Sequence, residues 1–202
     1  MKQFILSFAV LCTVGSLAVG CSDDDSSIRY SKGDIYDRNG VRGVVFAISD
    51  EGRHGLIVSL DETTAAWSTE QVRTAAVSDS DGAANQAAIE SIADWQTKYP
   101  AFAWCDAKNV NGASNWFLPA YDQLRELYNT WSSAKSNFNK ALTDSGGMAI
   151  APTSAEDEYY WSSTDDESSS GGVYAVAFMF RQGVADFPFK TDHEKVRAVH
   201  AF

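Results

Sequence analysis

The chain has 202 residues, 45% of them hydrophobic and 12% aromatic, with a formal net charge of -11 and a pI near 4.6. That length suits one domain plus a targeting segment, and it is enough to build a hydrophobic core. The acidic balance argues against nucleic acid, whose phosphates need a basic face, and equally against electrostatic docking on anionic lipid.

Residues 1–20 read as a targeting segment outside the fold. Lys2 supplies a short positive start, and Phe4 to Val14 is an apolar run too short to span a bilayer. Ala18, Val19 and Gly20 then lead into Cys21, and small residues before a cysteine resemble the lipobox of bacterial lipoproteins. The usual leucine three residues before the cysteine is Ala18 here. The acidic run Ser22-Asp23-Asp24-Asp25 resembles the surface-export signal of some Gram-negative lipoproteins. The resemblance implies acylation at Cys21, an outer-membrane location facing outward, and a palmitate-type anchor in which each buried methylene contributes about 0.8 kcal/mol. With Cys12 leaving in the signal and Cys21 acylated, Cys105 is the only cysteine of the folded part, and no disulfide forms there. Among the apolar neighbours of AFAWCDAK it reads as an inert buried thiol.

Residues 21–32 are polar and acidic, a flexible tether, and the domain runs over 33–202. Val44 to Ile48 and Leu56 to Leu60 are apolar runs joined by a segment holding Gly52 and Gly55, which predicts an antiparallel hairpin. Residues 61–81 read as a loop-rich excursion anchored by Trp67, and Asp81 as the N-cap of a helix over 83–97 that breaks before Pro100. A short continuation over 101–108 brings Phe102 and Cys105 inward, and 109–114 is a turn around Gly112. Pro119 opens a second helix with Leu124, Leu127, Tyr128 and Trp131 on one face, extended by Phe138 and Leu142 and ended by Gly146-Gly147.

The last third predicts a sheet. YYWSST is followed by the loop DDESSSGG, then VYAVAFMF, apolar on both alternating sets as in a strand covered on both faces, then VADFPFK and a final strand KVRAVHAF. In that final strand Val196 and Ala198 share one face and Arg197 and Val199 the other, so its cover is expected to be less complete. Hairpin, helices and then strands, without βαβ alternation, give an α+β fold with a mainly antiparallel sheet.

Several segments together resemble a known family. Gly112-Ala113-Ser114-Asn115-Trp116-Phe117-Leu118-Pro119 with Leu124 and Leu127 is similar to the G-x-x-D-W-R-L-P-T-x-x-E-L signature of the Lcl C-terminal domain family. Tyr160-Trp161-Ser162-Ser163-Thr164 is similar to its Y-W-S-S-T strand, and Val173 to Gly183, Lys190 and Val196-Arg197-Ala198-Val199 to its closing motif. With the opening hairpin, the resemblance runs from about Gly33 to the end. It implies a C-type-lectin-like fold: two helices against a twisted antiparallel sheet, termini close together, and a ligand loop after the W-S-S strand. Phe117 and Ala120 stand where the family has arginine and a helix-capping threonine, and the Glu-Pro-Asn and Trp-Asn-Asp calcium and sugar motifs of C-type lectins are missing.

No catalytic constellation is visible, so an enzyme is not expected. Ser162 and Ser163 lack a nucleophile motif, and His54, His193 and His200 have no neighbour marking them as a base. A lone Cys105 cannot supply the cysteine pair of formylglycine-generating enzymes, which share the lectin-like fold. Trp116 and Trp161 read as core anchors, and His200 as a satisfied core group. Asp165, Asp166 and Glu167 carry the oxygen chemistry of a calcium site, but a solvated acidic loop carries more weight, and no cofactor is expected. Asp79-Ser80-Asp81-Gly82 resembles half an EF-hand loop and is better explained by capping. The expected ligand patch is Tyr159, Tyr160, Asp165, Asp166 and Glu167, with Phe187 and Lys190 at the rim. Two functions follow as expectations: a surface binding module for a glycan or protein, or a subunit of a fimbria-like or envelope assembly without a small ligand.

Overall fold

A computed structural model describes residues 28–109, 115–152, 158–168 and 171–202. The signal, Cys21, the acidic run behind it, the turn around Gly112 and Ser169-Ser170 lie outside the described residues. The fold is α+β, with two five-stranded sheets and five α-helices among the described residues. None of these helices is long and apolar enough to cross a membrane.

The first sheet begins with a hairpin that the sequence reading did not include. Strands β1 (Ile35–Arg38) and β2 (Val41–Ser49) are joined by Asn39-Gly40, both at positive φ, the two-residue turn whose twist suits a hairpin. The predicted hairpin follows, β2 with β3 (His54–Ser59). Phe46 forms a bulge in β2, and its carbonyl accepts from Thr130 Oγ1 at 2.8 Å, so the break in the ladder becomes a helix-docking point. The sheet is completed by β10 (Val199–Ala201) and β5 (Trp116–Phe117), in the order β1-β2-β3-β10-β5, all antiparallel.

The second sheet has the order β4-β9-β6-β7-β8, from Thr63–Ala66, His193–Val196, Tyr160–Asp165, Ala175–Met179 and Val184–Asp186. β6 and β9 are parallel, and the other pairs are antiparallel. As the apolar pattern predicts, β7 is buried on both faces. The predicted final strand is instead two strands, one in each sheet, with the change of sheet at Arg197-Ala198. Cover is full at its centre, where Val196, Arg197, Ala198 and Val199 are all buried, and falls away at Lys195 and Ala201.

The helices also differ from the expectation of two. α1 (Gly82–Glu90) starts at the predicted cap, where Asp81 Oδ1 accepts from the Ala84 amide at 2.9 Å. It stops near the middle of the predicted span, where Ser91 Oγ donates back to the Ala88 carbonyl and Asp94 turns to φ 60. α2 (Trp95–Lys98) and α3 (Pro100–Asp106) follow, and Pro100 is the first residue of α3, where its missing N–H costs nothing. α4 (Tyr121–Ser133) buries Leu124, Leu127 and Trp131 as expected, and α5 (Lys135–Asp144) buries Phe138 and Leu142 after a break at Ala134. α4 carries Ala120 at its cap position but has substitutes for a capping side chain there: Thr164 Oγ1 accepts from the Tyr121 amide at 3.1 Å, and Gln123 Oε1 from the Ala120 amide at 2.9 Å.

The ends of the folded part meet. Gly55 and Phe202 exchange backbone hydrogen bonds at 3.1 Å each, and the Tyr30, Tyr36 and Phe202 rings lie within 5.3 Å of one another by centroid. The two sheets are tied together by Arg197, which is 1% exposed. Its guanidinium donates to Glu62 Oε2 at 2.8 Å, to the Ser59 carbonyl at 3.1 Å and to the Met148 carbonyl at 2.7 Å. Glu62 Oε2 also accepts from Tyr160 Oη at 2.8 Å. Replacing Arg197 with Met takes the guanidinium from the Glu62 carboxylate and leaves the buried Ser59 carbonyl without that donor, and is expected to lower stability by about 3 kcal/mol. An unfolding free energy from urea titration that falls by less than a quarter of that amount would show that the joint is held by packing alone.

Candidate functional site

The centre of the second sheet is β6, and all six of its residues are buried. Its pairing with β7 is interrupted between Trp161 and Asp165, and the hydroxyls of the S-S-T run take over where the ladder fails. Ser162 Oγ donates to the Val176 carbonyl at 2.7 Å, and Thr164 Oγ1 to the Ser78 carbonyl at 3.0 Å. Ser163 Oγ accepts from Asn85 Nδ2 at 2.9 Å, which pins α1 to the strand. Two indoles bind across the same strand: Trp161 Nε1 to the Ala65 carbonyl at 3.0 Å, and Trp67 Nε1 to the Ser162 carbonyl at 2.9 Å. The serines are therefore structural, and Trp67 anchors the excursion as expected.

The acidic loop begins at the end of this strand, and its three carboxylates have different surroundings. Asp165 is buried inside the fold. Its Oδ2 accepts from the Thr74 amide at 2.7 Å and from Thr74 Oγ1 at 2.8 Å, and its Oδ1 lies 2.6 Å from Lys190 Nζ. Lys190 is buried too; it donates to the Val72 carbonyl at 2.7 Å and sits 4.6 Å over the Trp67 ring. Burial lowers the Lys190 ammonium from its ordinary range, and Asp165 opposes that shift. The pair fastens the 67–81 excursion to the sheet. Asp166 Oδ1 accepts from the Ser168 amide at 2.9 Å and from its hydroxyl at 2.6 Å, while Glu167 is exposed.

The expected patch therefore divides. Asp165, Asp166, Glu167 and Phe187 line one groove of about 380 Å³, together with Asp79 and Tyr121. Tyr159, Tyr160 and Lys190 do not line it. Tyr159 packs in the core with its hydroxyl on Asp186 Oδ2 at 2.9 Å. Tyr160 is 1% exposed, stacks on Phe180 at 4.6 Å, and burial beside Glu62 raises its phenol far above the usual range. Alternation of inward and outward positions could have separated Tyr160 from the loop, but nothing local to Lys190 announces a buried lysine. Asp79 and Tyr121 were missed because one lies before α1 and the other begins α4, far from the loop in sequence. The groove presents carboxylates together with the half-exposed Phe187 ring, and among the described residues no lysine or arginine lines it. It can therefore take hydrogen-bond donors over an apolar face and disfavours anions.

Other candidates from the sequence resolve as structural or solvent-facing. Burial raises the Cys105 thiol far above its usual range, as an inert core group requires. No group of three or more His, Cys, Asp or Glu side chains suited to a metal occurs among the described residues. His193 is exposed on β9, and His54 is exposed at the hairpin end. His200 is buried, and its Nδ1 accepts from the Asn115 amide at 3.3 Å, a bond the protonated ring cannot make.

Two outcomes are expected. Lys190→Met leaves Asp165 charged in the core and should cost about 3–5 kcal/mol, whereas adding Asp165→Asn should restore a large part of it. Equal losses in the single and double variants would contradict a coupled pair. Burial lowers the His200 pKa below 6.5, so between the two values the unfolded chain holds more protons. Stability should then fall as pH drops through 6.5 toward the lowered value, and level off below it. In melting curves across that range His200→Gln should show a flatter dependence, and parallel curves would assign the acid sensitivity elsewhere.

No family model matches this chain, and no curated protein matches it significantly.

Proposed function

We propose that this chain is a lipid-anchored surface protein of the bacterial outer membrane whose C-type-lectin-like domain recognises a glycan or a protein ligand in the groove at the end of β6. Acylation at Cys21 carries the domain, and the described part supplies the recognition surface. The observation that carries this reading is the convergence of Asp79, Asp166 and Glu167 with Tyr121 and Phe187 around one cavity of about 380 Å³. These residues come from four separate stretches of the chain, and such convergence is the usual mark of a small-ligand site. The lectin-like reading is supported by the adjacency of the ends at Tyr30 and Phe202, by α1 and α4 packed on the sheets, and by the loop between β6 and β7. The acidic wall and the Phe187 face favour a neutral or basic ligand, because an anionic sugar would meet like charge.

A specific feature also supports the assembly-subunit reading. Val184, Phe187 and Phe189 are each 46–48% exposed along the outer side of the second sheet. That edge is partly blunted, since the Phe187 amide donates to Asp186 Oδ1 and the Phe189 amide to Asp192 Oδ2.

The anchor and the groove are tested separately. Metabolic labelling with a palmitate analogue should mark the full chain and not Cys21→Ser. On a glycan array, Asp166→Ala with Glu167→Ala should weaken the signal by about tenfold or more, as expected for charge-assisted hydrogen bonds. Binding that survives the double substitution removes the groove from the proposal. A silent array together with a stable protein partner from membranes, lost in Phe187→Ser, supports the assembly role instead.

A further inference from the structure

The Lys190–Asp165 pair differs from the other lysine–carboxylate pairs among the described residues. Both of its side chains are 0% exposed, whereas in each of the others both partners keep some contact with water. Lys190 Nζ lies 2.6 Å from Asp165 Oδ1, and that oxygen has no donor besides the ammonium it touches. The other carboxylate oxygen, Oδ2, is held twice by one residue, through the Thr74 amide at 2.7 Å and Thr74 Oγ1 at 2.8 Å. Nζ also donates to the Val72 carbonyl at 2.7 Å.

These partners suit a secondary amide as well as they suit two ions. An amide linking Nζ to Cγ has one N–H and one C=O to satisfy. The Val72 carbonyl is in place to accept from the first, and both Thr74 donors already bind the oxygen that becomes the second. The atom left over is Oδ1, the oxygen that only the nitrogen contacts.

We propose that Lys190 and Asp165 join in an intramolecular isopeptide bond between Nζ and Cγ, with release of one water. A proton passes from the ammonium to Oδ1, and the electron pair freed on Nζ attacks Cγ. Negative charge builds on Oδ2, where the Thr74 amide and hydroxyl receive it. Oδ1 then takes a second proton from Nζ and leaves as water, and the electron pair on Oδ2 restores the C=O bond. No oxidant or cofactor enters the balance. Burial holds the Lys190 pKa below its ordinary value, which favours the neutral amine that attacks. Contact inside a sealed site replaces a chance encounter, and neutral groups in place of a buried ion pair are often the more stable arrangement. The bond ties the end of β6 to the segment after β8. Cys105 is the one cysteine among the described residues, so no disulfide joins them. The inference is independent of the groove and of its ligand.

The test is mass spectrometry of the full chain after unfolding, beside the Lys190→Met, Asp165→Asn double variant, so that the mass of any anchor cancels. Once the two substitutions are allowed for, the parent should be lighter by one water. Tryptic digestion of the unfolded parent should leave Lys190 uncut and its peptide joined to the one carrying Asp165. In newly synthesised chain, Thr74→Val should lose the water about a hundredfold more slowly than the parent, because one donor to the developing oxyanion is gone. A mass difference that the two substitutions explain in full, cleavage after Lys190, a linked peptide that joins another residue pair, or water lost as fast in Thr74→Val as in the parent would each overturn it.

Discussion

One guanidinium fixes the relation between the two sheets. The chain leaves β9 and enters β10 within a single step, and a strand that changes sheets leaves neighbouring carbonyls without ladder partners. Arg197 answers with its rigid fork: the Ser59 and Met148 carbonyls and the Glu62 carboxylate all accept from it. Lysine would supply the charge but not three donors in fixed directions. Glu62 binds Tyr160 in turn, so the joint reaches the central strand of the second sheet.

That central strand explains where the groove lies. β6 loses its pairing with β7 just where its serines and threonine begin: Ser162 reaches β7 through its hydroxyl, and the Ser163 and Thr164 hydroxyls bind α1, α4 and the excursion. Its far end, Asp165, is held by Thr74 and Lys190. The next two acidic residues therefore start from an immobilised point, and the acidic loop is presented by a stiff strand end. Loops held in this way are where binding residues usually sit.

The groove keeps the electrostatic character of the whole chain. Among the described residues it is lined by carboxylates and by no basic side chain, on a chain whose net charge is -11. It therefore selects against anions before any contact is made. Half-exposed Phe187 stands beside its carboxylates.

The sequence by itself determined the α+β class, the β2–β3 hairpin, the Asp81 cap, the apolar face of α4, the doubly covered β7 and the burial of Trp67, Trp116, Trp161 and Cys105. Each of these follows from local periodicity, turn chemistry or side-chain size, which act over a few residues. Tertiary structure alone decided the split of the last strand between two sheets, the early stop of α1, and the fates of Tyr160 and Lys190. It also decided that Asp79 and Tyr121 join Phe187 at one groove. These depend on partners far away in the chain: Arg197 finds Glu62, Lys190 finds Asp165, and Thr164 caps a helix that carries alanine at its own cap position. A residue's charge or hydroxyl is written in the sequence, but which backbone group or counter-ion it satisfies is set only when the fold brings the two together.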